Sequence, residues 1–199
     1  MKLSERVENK IKLPFVILSN NTIIRPLMFE DRQIVSDAVQ QSLGNLKMWL
    51  PWVEQAPKVD DYQAIVEALY EEERKEEAYH FAAFHNQNFM GMVSLYNLNL
   101  AEKSGDLGIW FRNEYPAVSF FFEGIKSFMR YSFENLKLRT LEMPIVMGNF
   151  ISEKVAKEIG FTLLKVDLNK HRQIKRYSLA YNEYNYDVDV KIVYKKTKT

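Results

Sequence analysis

The most informative segment of the sequence lies at residues 149–161 and reads NFISEKVAKEIGF. Its middle part predicts a helix over about Ser152–Ile159, and Gly160 can take the left-handed conformation that closes a helix. A strand is predicted before this helix at Thr140–Val146, and another after it at Phe161–Val166. Strands and helices that alternate in this way indicate a parallel crossover with helices packed on a sheet.

Upstream of this segment, the clearest helix is predicted over about Ala117–Asn135. Small and apolar residues follow the i, i+3, i+4, i+7 spacing of a buried stripe. The stripe consists of Ala117, Phe120, Phe121, Gly124, Ile125, Phe128 and Ser132.

The first half of the chain contains several strand signals in succession, which indicate antiparallel hairpins. Strands are predicted at Thr22–Leu27, His80–His85, Phe89–Tyr96 and Gly105–Phe111, with a last one at Asp187–Tyr194. Helices are predicted from Glu30–Asp31 towards Leu43 and over about Asp60–Glu77. We therefore expect one domain, residues 1–199, of the α+β class. It has three α/β/α layers. The sheet is twisted, mixed and mostly antiparallel, contains about seven strands, and carries helices on both faces.

Composition excludes several functional classes. The 199 residues include 27 basic and 26 acidic side chains, for a net charge of +1, whereas a dedicated nucleic-acid binder usually shows a basic excess. The absence of cysteine excludes disulfides, thiolate zinc sites and a cysteine nucleophile. The three histidines are isolated in sequence, so no metal site is expected. No apolar stretch approaches the ~18–20 residues that span a bilayer. A cytoplasmic protein without nucleic-acid or membrane partners is the expectation.

Four segments resemble the GNAT superfamily of N-acetyltransferases, and within it the ribosomal-protein-serine N-acetyltransferase type. They are Ile24–Leu27 followed by Glu30–Asp31, Trp49–Val53, Gly105–Phe111, and Asn149–Ser152 continuing to Gly160–Phe161. The resemblance implies a GNAT-like sheet whose fourth and fifth family strands splay apart to admit the pantetheine arm of acetyl-CoA, the co-substrate.

The resemblance also implies direct transfer, in which an amine attacks the thioester carbonyl and the coenzyme A thiolate leaves. Ser152 would then be the general acid, and Asp106, where the family usually has glutamate, could take a proton through water. The residues implied to contact acetyl-CoA are Trp110, Phe111, Arg112, Ala117, Val118, Ser119, Phe120, Asn149 and Ser152. The residues that could wall the acceptor pocket are Trp49, Trp52 and Tyr96.

One segment departs from the family pattern. The family carries glutamine or arginine, two variable residues, glycine, one more residue, and then glycine or alanine, and these amides cradle the pyrophosphate at a helix N-terminus. Residues Pro116–Phe121 contain no glycine, proline removes an amide donor, and Phe121 stands where a small residue is expected. Ser119 keeps a small side chain, so its amide could still be presented.

Each candidate residue also has a purely structural interpretation. Ser152 could be the N-cap of the following helix, Asn149 a turn residue, and Asp106 a solvated acid on a strand face. The aromatic side chains Trp49, Trp52 and Tyr96 could belong to the core. His80, His85 and His171 would be structural or surface residues.

Three interpretations of function remain open. The first is an enzyme that acetylates the N-terminal α-amine of a protein or peptide, or another small amine. A homodimer is possible for this enzyme. At pH 7 roughly a tenth of an α-amine is neutral, against about 0.04% of a lysine, so a site with one carboxylate and no well-placed histidine suits the α-amine. The second is a non-catalytic binding module. In the third, other contacts, from Arg112 or the amides of Val118–Phe120, hold acetyl-CoA.

Overall fold

The computed structural model describes residues 16–19, 21–50, 53, 68–69, 71–73, 75, 77–113, 119–168, 172–185, 188 and 191–194. The strands are β1 (Val16–Ser19), β2 (Thr22–Pro26), β3 (Ala78–His85), β4 (Asn88–Asn99), β5 (Ser104–Phe111), β6 (Thr140–Val146), β7 (Thr162–Leu168), β8 (Gln173–Ala180) and β9 (Lys191–Val193). The longer helices are α1 (Arg32–Trp49), α2 (Ser119–Glu134) and α3 (Phe150–Glu158).

The described strands form one sheet in the order β7-β8-β6-β5-β4-β3-β2-β1-β9. β5 and β6 are parallel and connected through α2, while the other neighbouring strands are antiparallel. The mixed, mostly antiparallel sheet expected from the sequence is therefore confirmed, together with its parallel crossover.

Helices cover both faces of the sheet, which confirms the three-layer arrangement. Alternate side chains of a strand point to opposite faces, and on β3 Phe81 packs in one core cluster while Ala82 packs in the other. The cluster around Phe81 includes the buried residues of α2 and α3. The cluster around Ala82 includes the buried residues of α1.

The stripe predicted for α2 is buried where the structure describes it. Ile125 and Phe128 are fully buried, and the ring centroids of Phe128 and Phe81 lie 4.9 Å apart. Gly124 lets the helix approach the sheet closely, because a Cβ there would lie 2.8 Å from Cγ2 of Thr22. Ala117, as well as the side chains of Phe120 and Phe121, lies outside the described residues.

Two strands were missed by the sequence analysis, so the described sheet has nine strands rather than about seven. β1 is a four-residue strand that pairs with β2, and β8 carries adjacent basic residues that obscure its alternation. In addition, α1 continues to Trp49 rather than ending near Leu43. The helix predicted over Asp60–Glu77 lies largely outside the described residues, although residues 68–69 and 71–73 are helical.

Candidate active site

The sheet opens between β5 and β6. These strands pair only through Ser104–Asp106 and Thr140–Glu142, whereas β5 stays paired with β4 to Phe111 and β6 stays paired with β8 to Val146. Beyond Asp106 the two parallel strands therefore separate into two arms. This separation is the one that the family resemblance implied, and it provides a cleft at the end of the sheet from which α2 departs.

Helix α1 contacts the β5 arm of the cleft. The Arg112 guanidinium donates a 2.6 Å hydrogen bond from Nη2 to Oε1 of Gln41, and the backbone N–H of Asn113 donates to Oγ of Ser42 over 3.2 Å. The residues that follow β5 are thereby held against α1. The Arg112 side chain, for which contact with acetyl-CoA stays a prediction, makes this hydrogen bond to α1.

The same helix reaches the β6 arm at its C-terminal end. Arg172 Nη1 donates a 3.0 Å hydrogen bond to the backbone carbonyl of Met48. The Trp49 ring reaches Gly148, since a Cβ on that glycine would lie 4.0 Å from Cη2 of Trp49. Helix α1 therefore spans both arms, and it brings the predicted acceptor-pocket residue Trp49 next to the start of α3.

Asn149 begins helix α3 and caps it. Its Oδ1 accepts a 3.1 Å hydrogen bond from the backbone N–H of Ser152, which satisfies one of the free amides of the first turn. The interpretation of Ser152 as the N-cap is therefore wrong. The partly exposed Ser152 hydroxyl makes no hydrogen bond within the described part of the chain, so this proton remains available in the first helical turn.

Helix α3 is anchored to β8 by a buried ion pair. Both carboxylate oxygens of Glu153 accept hydrogen bonds from Lys175 Nζ over 2.9 Å, and the Tyr177 hydroxyl donates a third over 3.0 Å. Burial alone would raise the pKa of Glu153, but these hydrogen bonds outweigh it and lower that pKa. This anchor fixes the helix that carries Ser152.

Asp106 is buried, with only 6% of its surface exposed, so the interpretation as a solvated strand-face acid is wrong. Asn97 Nδ2 donates to its Oδ2 over 2.9 Å, and Arg176 Nη1 lies 3.5 Å from Oδ1. Burial raises the pKa of Asp106, while Asn97 and Arg176 act in the opposite direction. The carboxylate lies on the α1 side of the sheet, at the point where β5 and β6 separate.

Arg176 links three carboxylates on this face. Besides Asp106, its Nη1 lies 3.0 Å from Oε2 of Glu142 and its Nε lies 2.8 Å from Oδ2 of Asp167. The sequence analysis missed Arg176, because β8 itself was missed. Burial lowers the pKa of an arginine, but the bonds to Asp167 and the neighbouring carboxylates raise that of Arg176.

Tyr96 lies opposite Asp106 in the β4–β5 register and leans over Gly108, where a Cβ would lie 2.9 Å from Cε1 of the ring. Burial and the nearby Asp106 carboxylate raise the pKa of Tyr96 to about 12. The phenol therefore stays protonated near neutral pH. It can donate a hydrogen bond next to Asp106, where β5 and β6 separate, while its role in the acceptor pocket stays a prediction.

The remaining predicted residues divide between the two faces of β5 or lie outside the described residues. Trp110 is buried on the α1 side, 5.9 Å from the Phe89 ring, so it belongs to that core. Phe111 packs on the opposite face. Trp52, Ala117 and Val118 lie outside the described residues, as do the side chains of Ser119 and Phe120, whose backbone begins α2.

Comparison with known proteins identifies the class to which this fold and cleft belong. Residues 21–162 match the model of the acetyltransferase (GNAT) domain family. The match covers most of the chain, and the protein belongs to this family of acetyltransferases. It is 24% identical over 148 residues to a Bacillus subtilis (strain 168) protein provisionally named ribosomal N-acetyltransferase YdaF. That alignment covers 72% of this chain and 79% of the relative.

Solved structures share the fold at lower identity. RimL, the ribosomal L7/L12 alpha-N-protein acetyltransferase in complex with coenzyme A, superimposes with a TM-score of 0.77 at 14% identity, over 86% of this chain and 99% of that one. Spermidine N-acetyltransferase from Vibrio cholerae, in complex with coenzyme A and spermine, superimposes with a TM-score of 0.68 at 18% identity, over 82% of this chain and 98% of that one.

Two kinds of functional feature are absent from the described residues. No helix there is long and apolar enough to cross a membrane. No group of three or more histidine, aspartate or glutamate side chains there could hold a metal ion.

Proposed function

We propose that this protein transfers an acetyl group from acetyl-CoA to the N-terminal α-amine of a protein or peptide. The observation that carries the proposal is the opening between β5 and β6, with Ser152 beside one arm and Asp106 at its base. The family membership and the structural likeness to RimL support the α-amine acceptor. The likeness to a spermidine N-acetyltransferase makes a small polyamine the competing acceptor. The proposal keeps the single domain and the cytoplasmic location expected from the sequence.

In the proposed reaction, the amine nitrogen forms a bond to the thioester carbonyl carbon and loses a proton, the C–S bond breaks, and the thiolate takes a proton. Ser152 supplies that proton, because its hydroxyl has no hydrogen bond to another described side chain and lies in the first turn of α3. The positive end of the helix dipole there also favours the developing thiolate. Asp106 places negative charge on the acceptor side, and Tyr96 and Trp49 line the approach.

The experiment that tests the proposal is calorimetric titration with acetyl-CoA and with coenzyme A, followed by thiol-release kinetics on a serine-initiated peptide and on spermidine. We expect binding at tens of micromolar or tighter, and a higher kcat/KM for the peptide. Ser152→Ala should lower kcat by about 10–100-fold with little change in acetyl-CoA affinity. Absence of binding up to millimolar acetyl-CoA would instead favour the non-catalytic module, since Pro116–Phe121 lacks the glycines of the phosphate loop.

We also propose that two copies of the protein pair through β7, the outermost described strand at its end of the sheet. Its apolar residues Leu164, Val166 and Leu168 are exposed, and such an edge is a template for another strand. Antiparallel pairing centred on Val166 would set Leu164 against Leu168 and Lys165 against Asp167 of the second copy. Light scattering should therefore show a dimer that Val166→Lys converts to a monomer, and a monomeric wild type would refute the pairing.

A further inference from the structure

A row of side chains crosses three strands on the α1 side of the sheet and ends at the cleft. His80 on β3 lies opposite Ser94 on β4, and Ser94 lies opposite Gly108 on β5. Residues directly opposite each other in a sheet share a face, so this row lies beside the one formed by Tyr96 and Asp106. Gly108 belongs to the part of β5 that has already separated from β6.

The members of this row are hydrogen-bonded in sequence. Ser94 Oγ lies 2.9 Å from His80 Nδ1, and His80 Nε2 lies 3.0 Å from Glu72 Oε2. The His80 side chain is 14% exposed and that of Glu72 is 45% exposed. The connected groups therefore lead from the neighbourhood of the cleft, through a mostly buried imidazole, to a carboxylate in contact with water.

The partners of His80 determine which ring nitrogen carries the proton. A carboxylate can only accept a hydrogen bond, so Nε2 is the protonated nitrogen and donates to Glu72. In the neutral ring Nδ1 is then an acceptor, and it receives the hydroxyl proton of Ser94. This orientation leaves an imidazole base hydrogen-bonded to the hydroxyl of Ser94, which lies opposite Gly108 in the part of β5 that has separated from β6.

We propose that Ser94, His80 and Glu72 form the proton relay that deprotonates the acceptor amine, an inference that rests on the proposed acetyl transfer. As the amine nitrogen bonds to the carbonyl carbon, its proton passes to Ser94 Oγ and the Ser94 proton passes to His80 Nδ1. The thiolate takes its own proton from Ser152, which regains one from water, so the proton lost by the amine balances the proton gained by the thiolate. Glu72 stabilises the imidazolium, which then releases the proton to water.

Asp106 is less suited to this task, although the sequence analysis assigned it there. Its oxygens already contact Arg176 and Asn97. His80 Nδ1, in contrast, accepts a hydrogen bond from the Ser94 hydroxyl, which can pass on a proton. No histidine is recognised as well placed from the sequence, because His80 and Ser94 are 14 positions apart and only the β3–β4 hairpin brings them together.

The test compares His80→Gln, which can bond both partners but cannot titrate, with His85→Gln on the same strand, where His85 Nδ1 contacts Thr22. With a serine-initiated peptide, His80→Gln should lower kcat about 100-fold near pH 7 while acetyl-CoA affinity stays unchanged, and His85→Gln should change kcat less than threefold. Ser94→Ala should match His80→Gln. Glu72→Gln should have an intermediate effect.

Two further readouts separate a relay from mere packing. A peptide hydrazide, whose nucleophilic nitrogen is neutral at the assay pH, needs less assistance from a base. With this substrate, His80→Gln should therefore lower kcat less than tenfold. The pH profile of kcat/KM should also lose one titration in this variant. In the described part of the chain, the charged side chain that contacts His80 is that of Glu72. The titratable residues Tyr96 and Asp106 lie in the adjacent row of the sheet.

Equal kcat values for the wild type and His80→Gln, or an equal deficit with amine and hydrazide, would overturn the relay, as would an acetyl group found on Ser94. Failure of the proposed function is a different result. In that case the wild type itself would neither bind acetyl-CoA nor acetylate peptide or spermidine.

Discussion

Replacing Glu153 with glutamine tests whether the ion pair between α3 and β8 holds the helix that carries Ser152. The side chain is 9% exposed and accepts three hydrogen bonds, two from Lys175 and one from Tyr177. The variant places an amide among these donors and leaves Lys175 without its counter-charge. Breaking such a buried pair costs about 3 kcal/mol, which for a chain of this size lowers Tm by about 6–12 °C.

The effect should depend on pH in a defined direction. Because the folded pKa of Glu153 is lowered, its contribution is fully present above the ordinary value of 4.5 and is lost as pH falls through the folded pKa. Urea unfolding near pH 7 should show the full difference between wild type and variant, and near pH 3 a smaller one. Glu158→Gln is the matched control, since its pairing with Lys154 at 3.7 Å is exposed. It should cost less than about 0.5 kcal/mol. Equal costs for the two variants, or a pH-independent difference, would refute the reasoning.

Three further predictions, one of them with a control variant on α1, concern residues around the cleft. Asn149→Ala removes the N-cap of α3 and should lower stability by about 1 kcal/mol in urea unfolding, with Asn149→Asp close to wild type. Gly91→Ala should prevent soluble expression or cost more than about 4 kcal/mol, because its Cβ would lie 2.1 Å from the Trp110 carbonyl oxygen. The control Gly44→Ala, whose Cβ would have nothing within 4 Å, should be neutral or stabilising, and thermal unfolding of both variants measures the difference. Asp106→Asn should gain stability relative to wild type as pH rises above 3.8, because the folded pKa of Asp106 is raised; a constant difference across pH would contradict this.

Much of the fold follows from local patterns in the sequence. The buried stripe of α2 was predicted from residue spacing, and Ile125 and Phe128 are fully buried. Gly160, predicted to end α3, has a φ of +89°, which glycine adopts without the strain of a Cβ. These predictions succeed because helix periodicity and helix ends depend on residues within about four positions of each other.

β8 shows where such reasoning fails. Lys175 and Arg176 interrupt its alternation and suggest a solvated segment, yet Lys175 pairs with Glu153 on α3 and Arg176 with Asp167 and Glu142. Those partners lie between 9 and 34 residues away along the chain. A sequence shows the charges but not the opposite charges that a sheet places beside them.

The residues of the candidate site show the same difference between what local sequence patterns reveal and what depends on distant partners. Local sequence patterns were enough to establish the class of fold, the two faces of β5 and the position of Ser152 and Asn149 at the start of α3. The three-dimensional arrangement was needed to show that Asn149 rather than Ser152 is the cap, that Asp106 is buried against Arg176, and that Glu72, His80 and Ser94 are connected. The reason is physical: hydrophobic periodicity is a short-range property, whereas burial and the hydrogen-bond partners of a polar side chain depend on which strands and helices the topology brings together.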